Sequence, residues 1–360
     1  MAMYPQFAEA FRNFLARIPA RGRVLVYCHF DADGLAAGAL LGRGLPRLGP
    51  GWELTVLPSG KGDNAFLTEA VPKQLLAEQP DALIVTDLGV HAHGTLEAAG
   101  IPVLYIDHHI PEGYPPAPQA TVLTGYGLPD PIPCSAWLAY ELLAAETDMV
   151  DLQWIAAIGI ISDLGEQAAW PPLAQVKKQY TAKRLKEAVA LCNAARRAGA
   201  FDLARPLGHL LHDDSPASLA NDLVLAEYRA AVAEQLAVAR KLPPRFPLKT
   251  NPEAAPVAVV TIDSPAQIHP LIAQQWIGRL PDRVVLCANL GYLPDGRVAV
   301  AGRTANRALH IPDLLRAAFA RTGHVPPVNF AHGHPQASGG HLSRAEYELL
   351  LQGLGFDAAT

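Results

Sequence analysis

The apolar run at positions 103–106 (Val-Leu-Tyr-Ile) ends abruptly in Asp107-His108-His109. One carboxylate and two imidazoles at that point are either part of a metal site or an unusual way to leave a core. Other apolar runs in the first half end in the same chemistry. His29, Asp31 and Asp33 follow 24–28 at i, i+2 and i+4, Asp87 follows 82–86, and Asp163 falls near the end of a helical stretch. In an extended chain the i, i+2, i+4 spacing puts three side chains on one side. If these groups converge, the carboxylates must raise their own pKa values or splay apart, and divalent cations remove that conflict. Carboxylate and imidazole without thiolate suit manganese, magnesium or iron better than a structural zinc. The set is large enough for two cations, about 3.5–4 Å apart and sharing an aspartate, that activate a water for in-line attack on phosphorus. Each residue alone has an ordinary reading, since an Asp after a strand often caps the next helix and a lone His is often a core residue. Their joint recurrence favours the metal site.

The positioning elements follow from periodicity. Runs 24–28, 54–57, 82–86 and 103–106 read as short strands, and 35–41, 68–78 and 95–99 as intervening helices. Strand–helix alternation with short connections predicts a doubly wound, mostly parallel sheet, whose sites lie beyond the carboxyl ends of its strands. One more strand is expected at 121–123 in a Pro/Gly-rich loop, then helices at 135–145 and 152–164. From 173 to about 240 the pattern is wholly helical. The proline-rich 241–250 cannot continue a helix and reads as a linker. The last third starts over with strands at 257–262 and 284–290, a hairpin partner at 297–301, helices at 271–279, 312–321 and 343–352, and a glycine-rich segment at 332–340. The expected organisation is an α/β catalytic domain (1–172), a helical connector and linker (173–250), and a smaller C-terminal α/β domain (251–360).

Composition narrows the partners. The net charge of -5 over 360 residues argues against a broad polyanion-binding surface, so any nucleic-acid contact should be local. Cys28, Cys134, Cys192 and Cys287 have no paired spacing and read as reduced core thiols of a cytoplasmic protein. No run approaches ~18 apolar residues, which predicts no membrane span. His91-Ala-His93, His212-Asp213-Asp214 and Lys61 mimic metal or phosphate motifs, but read as a polar loop, a helix boundary and an incomplete phosphate loop.

His29-Phe-Asp31-Ala-Asp33-Gly34, Asp87-Leu-Gly89, Asp107-His108-His109 and Ser162-Asp163-Leu-Gly165 resemble, in order, the four motifs of the DHH phosphoesterases. Gly333-His334-Pro335-Gln336-Ala337-Ser338-Gly339-Gly340 resembles the glycine-rich signature of the substrate-binding domain associated with them. The resemblance spans roughly residues 20 to 345. It implies a first metal on His29, Asp31 and Asp87, and a second on Asp33, Asp87, His108 and Asp163. Asp107 would orient its neighbours, and His109 would face the phosphate. In the C-terminal domain Arg303, His334 and Ser338 would bind the substrate, with Gly333, Gly339 and Gly340 letting backbone amides approach it. His332 stands where the family commonly has glycine. Segment 191–199 resembles a degenerate RecJ exonuclease motif that would place Asn193 and Arg196 near an incoming strand.

The resemblance therefore implies two divalent cations, Mn2+ or Mg2+, and hydrolysis of single-stranded DNA or RNA, including short oligonucleotides. The length leaves no room for the oligonucleotide-binding barrel of bacterial RecJ and matches the compact nanoRNase and pAp phosphatase relatives. Two other readings stay open: a phosphatase or phosphodiesterase for small nucleotides such as pAp or cyclic dinucleotides, and an inactive nucleotide-binding regulatory module. The intact ligand set speaks against the last. No membrane partner is expected, and both monomer and homodimer are compatible with the sequence.

Overall fold

The computed structural model describes residues 4–49, 51–61, 69–111, 113–116, 120–248, 256–328 and 330–357. The chain divides into two compact units, residues 1–196 with 202–227, and residues 197–201 with 228–360. The first unit begins with α1 (Pro5–Leu15), β1 (Arg23–Cys28), α2 (Ala32–Leu48), β2 (Glu53–Pro58), α3 (Ala70–Ala77) and β3 (Ala82–Thr86). It continues through α4 (Gly94–Ala98), β4 (Val103–Asp107), β5 (Ala120–Thr124), α5 (Ser135–Ala144) and α6 (Gln153–Leu164). The five strands are all parallel, in the order β2-β1-β3-β4-β5. β3 and β4 are buried along their whole length and β1 along all but its first residue. Burial on both faces explains why these strands read as continuous apolar runs without alternation. The strand order reverses at β1, so a crevice opens beyond the carboxyl ends of β1 and β3. His29 and Asp87 are the first residues past those two ends.

The stretch read as wholly helical comprises α7 (Leu173–Tyr180), α8 (Ala182–Arg197), α9 (Ala204–His212), α10 (Ala217–Asn221) and α11 (Leu223–Ala239). Asp213 terminates α9, as its motif suggested. The linker's Arg245 exchanges backbone hydrogen bonds with Val259. The expected boundary at 250/251 lies outside the described residues.

The second unit contains β6 (Val257–Ile262), α12 (His269–Ile277), β7 (Val284–Asn289), β8 (Val298–Thr304), α13 (Ile311–Arg321), β9 (Phe330–His334), β10 (Ala337–Leu342) and α14 (Arg344–Gly353). Its sheet runs β6-β7-β8-β10-β9, parallel only between β6 and β7. Val284, Leu286, Val298 and Val300 pack with Leu315, Phe319 and Leu350 of α13 and α14. Val260, Val285 and Cys287 pack on the other face with Ile272 and Ala273 of α12. β9 and β10 occupy the glycine-rich segment, where strand propensity is poorest and no strand was expected. Among the described residues no helix is long and apolar enough to cross a membrane, and all four cysteines are free and buried.

Candidate metal centre

The first unit brings together every metal-ligand candidate in it. One group is His29, Asp31 and Asp87, a second is Asp33, His108 and Asp163, and a third is Asp87, His108 and His109. Within each group the ligand atoms lie within 4.8 Å of one another. Asp87 joins the groups through its two oxygens. Oδ2 lies 3.4 Å from His29 Nδ1 and Oδ1 lies 3.2 Å from His108 Nε2. Asp31 Oδ2 is 3.3 Å from His29 Nδ1, and Asp163 Oδ2 is 3.3 Å from His108 Nε2.

Local structure sets these positions, though not by the alternation inferred for an extended chain. The backbone turns from β1 into α2 between His29 and Asp33. Asp31 caps α2, accepting the Gly34 amide at 3.1 Å, and Asp33 sits in the first helical turn. The turn therefore sends Asp31 and Asp33 to different groups. Gly34 is required there, because a β-carbon would lie 2.5 Å from the His29 carbonyl oxygen. Asp87 adopts a left-handed backbone, φ 66°, a conformation Asp tolerates better than most residues. Asp107 belongs to none of the three groups. Its Oδ1 accepts the His109 amide at 2.7 Å and lies 3.1 Å from His109 Nδ1, while Oδ2 accepts the Gly89 amide at 2.8 Å. Asp107 thus ties the ends of β3 and β4 together and fixes the His109 ring.

Buried charge is balanced inside the cluster. Burial pulls the His29 imidazole down, but Asp31 and Asp87 outweigh it and hold its pKa up to about 10. Burial likewise opposes the charged form of His108, and Asp87, Asp33 and Asp163 hold it up to about 10. Burial, with the charges of Asp87 and Asp31, pushes the Asp163 carboxyl up to about 7. Burial also drives Asp33 well above the usual carboxylate range, reinforced by Asp87 and Asp163. Asp107 is buried, yet its bonds from His109 take it down to about 2. The donor set is hard oxygen and imidazole nitrogen, and buried His29 Nδ1 makes no well-formed hydrogen bond. Both features fit divalent cations, which Asp and His ligate in their deprotonated forms.

Reading the sequence missed the groups behind this cluster. Ser135 Oγ donates to Asp87 Oδ1 at 2.9 Å, and the amides of Ser135 and Ala136 donate to Asp33 Oδ2 and Oδ1 at 2.9 and 3.0 Å. A Ser beginning a helix ordinarily reads as a local cap, so only the fold shows what it reaches. Of the connector residues, Arg196 donates from Nε to Asn193 Oδ1 at 2.7 Å and lies over the Phe30 ring at 5.6 Å. Asn193 is buried. Arg196 is therefore held beside the β1–α2 turn and lends positive charge to Asp31.

In the second unit, Arg303 of β8, Ala337 of β10 and His334 of β9 form one cross-strand row. Directly paired residues share a sheet face, so Arg303 and His334 project together across a small alanine. Ala301 and Gly339 form the next row on that face, and a β-carbon on Gly339 would lie 2.1 Å from the Val300 carbonyl oxygen. Ser338 belongs to the intervening row with Gly302 and Gly333 and is buried on the opposite face, apart from Arg303 and His334. Gly340 follows a bulge with φ 144°. The side chain of His332 and the surroundings of Gly333 lie outside the described residues. Arg303 Nη1 donates to the Gly302 carbonyl at 2.7 Å.

Comparison with known proteins agrees with the fold. Residues 23–160 match the model of the DHH family, N-terminal domain. The single-stranded-DNA-specific exonuclease RecJ of Thermus thermophilus is 29% identical over 276 residues, covering 67% of this chain and 40% of that protein. The chain thus spans well under half the length of this curated relative. The crystal structure of Thermus thermophilus RecJ in complex with Mn2+ superposes with a TM-score of 0.68 at 21% identity, covering 98% of this chain and 55% of that one. A second structure, exonuclease RecJ bound to manganese, gives a TM-score of 0.65 at 20% identity over 97% and 93% of the two chains. Residues 23–160 are thus matched as a DHH-family N-terminal domain. Beyond that domain the chain is similar to RecJ in sequence and in fold.

Proposed function

We propose that the chain is a divalent-cation-dependent phosphodiesterase that hydrolyses single-stranded DNA or RNA from an end, short oligonucleotides included. The observation that carries this reading is the Asp87 carboxylate, whose two oxygens face two separate His/Asp groups. His29, Asp31 and Asp87 would hold one cation, and Asp33, Asp87, His108 and Asp163 the other. When bound, such a pair supplies Lewis-acid stabilisation of charge developing at phosphorus and lowers the pKa of water. Mn2+ fits this mixed imidazole and carboxylate set, and Mg2+ accepts fewer imidazoles.

The protein's own groups supply orientation. His109, held at Nδ1 by Asp107, would donate from its other ring nitrogen to a phosphate oxygen. Arg196 offers a guanidinium beside the metal groups, braced by Asn193 and Phe30. In the second unit Arg303 and His334 present two donors on one sheet face for phosphates that are not cleaved, the fork of Arg303 suiting a bidentate grip. Gly333, Gly339, Gly340 and Ser338 shape that strand pair. The similarity to RecJ at 29% identity supports a nucleic-acid substrate, and the net charge of -5 favours short or single-stranded segments over long duplex.

One gel tests the reading. Oligonucleotides of several lengths, labelled at either end, are incubated with the protein and Mn2+. A ladder shortening from one end is expected, and its absence in a parallel Asp87→Asn reaction assigns the activity to this centre. No cleavage of any oligonucleotide, with release of phosphate from small nucleotides, would overturn it.

A further inference from the structure

The two halves of the centre are held in place by different parts of the fold. On the His29 side, Asp31 is fixed by its own helix, through the Gly34 amide. On the His108 side, both Asp33 and the Oδ1 of Asp87 are fixed by the first turn of α5, more than forty residues away from either in sequence. The two backbone amides of that turn occupy Asp33. The Ser135 hydroxyl alone, among side chains other than histidine with a described contact, reaches Asp87. Ser135, Asp33 and Asp87 are all buried, so water does not replace that bond if it is lost.

We infer that Ser135 is a positioning residue that keeps Asp87 shared, by holding Oδ1 toward the His108 group while Oδ2 faces His29. This rests on the two-cation reading above. A carboxylate beside a divalent cation can bind it through one oxygen or both. Without the hydroxyl, Asp87 is free to rotate both oxygens toward the His29 group, and the cation on the His108 side loses a ligand. Ser135 therefore acts on one cation and spares the other. Burial of a hydroxyl that merely needed an acceptor would carry no such asymmetry.

Ser135→Ala isolates the hydroxyl, since alanine keeps both amides that serve Asp33 and is a better helix former. Mn2+ binding to the full chain, followed by electron paramagnetic resonance of free and bound ion, is the readout. Wild type should bind two ions with the spectrum of a coupled pair. Ser135→Ala should keep one ion, weaken the other about tenfold or more, and lose the coupled spectrum. The side is identified by repeating the change in two backgrounds. It should weaken the remaining ion in His29→Ala, where the His108 group is left, and leave it unchanged in His108→Ala. Ser135→Gly, which also keeps the amides, should behave as Ser135→Ala and serves if the alanine variant does not fold. Equal effects in both backgrounds, or no effect in either, would overturn the assignment to Ser135. Failure of wild type to bind Mn2+ would instead overturn the two-cation reading beneath it.

Discussion

Gly159 of α6 passes so close to Asp33 that a β-carbon on it would lie 2.8 Å from the Asp33 Oδ1. The same β-carbon would lie 2.4 Å from that of Ala136, whose amide serves Asp33. Three helices therefore meet at one carboxylate: α2 carries it, the first turn of α5 donates to it, and α6 approaches it with no side chain. Gly159→Ala is expected to cost about 1–3 kcal/mol of stability by overpacking. It should also weaken cation binding on the His108 side, because the nearest way to make room is to move α5 or the carboxylate. Thermal unfolding and Mn2+ titration of the variant measure both. A variant with a wild-type melting point and wild-type affinity would show that α5 and α6 do not brace Asp33.

Asp107 separates orientation from ligation. Both of its oxygens are occupied by Gly89 and His109, so Asp107→Asn should leave two Mn2+ ions bound. The amide can still accept, but it lacks the charge that favours the His109 imidazolium, whose pKa is raised by Asp107 against the opposing effect of burial. Activity should fall about 10–100-fold, the usual cost of losing such a partner. The fall should come in kcat. Loss of bound Mn2+ in this variant would place Asp107 among the ligands instead.

Much of this centre was legible because its side chains sit at element ends. The runs before His29, Asp87 and Asp107 read as buried strands, and the structure has β1, β3 and β4 there. What stayed hidden depends on contacts between segments distant in sequence. Ser135 and Gly159 carry no local mark of their role, since an N-terminal serine and a helical glycine both have commoner explanations. Alternation places Asp31 and Asp33 on one side of an extended chain, whereas a helix begins at Ala32 and divides them. Strands β9 and β10 were invisible for a different reason. Phe-Ala-His-Gly-His and Ala-Ser-Gly-Gly-His-Leu have little strand propensity, and pairing with β8 supplies what the residues lack.

The row formed by Arg303, Ala337 and His334 gives a separable test of substrate holding. Burial pulls the Arg303 guanidinium down from its usual pKa, yet it stays charged at neutral pH and favours an anionic partner. Arg303→Lys keeps the charge and loses the planar fork, so KM for an oligonucleotide should rise, by about tenfold for a lost hydrogen bond to a charged group, with kcat little changed. Arg303→Ala should raise it further. An unchanged KM in the alanine variant would remove Arg303 from the substrate path. Ser338→Ala should not alter KM, because Ser338 is buried on the other face of the sheet.

Proton competition sets the pH dependence of cation binding. In the cation-free protein the carboxylates hold His29 and His108 up to about 10, and burial holds Asp163 up to about 7. All three pKa values lie above those of an unfolded chain, near 6.5 for His and 3.9 for Asp. Their contribution to cation-free stability is therefore fully present below the unfolded values and is lost as pH rises through the folded ones. Cations act the other way, since neutral imidazole and ionised carboxylate are the ligating forms and every proton must leave first. The increase in melting temperature produced by saturating Mn2+ should thus grow between about pH 6 and 9, and calorimetry in buffers of different ionisation enthalpy should register proton release on binding. A stabilisation independent of pH, with no proton released, would mean that Mn2+ binds away from His29, His108 and Asp163.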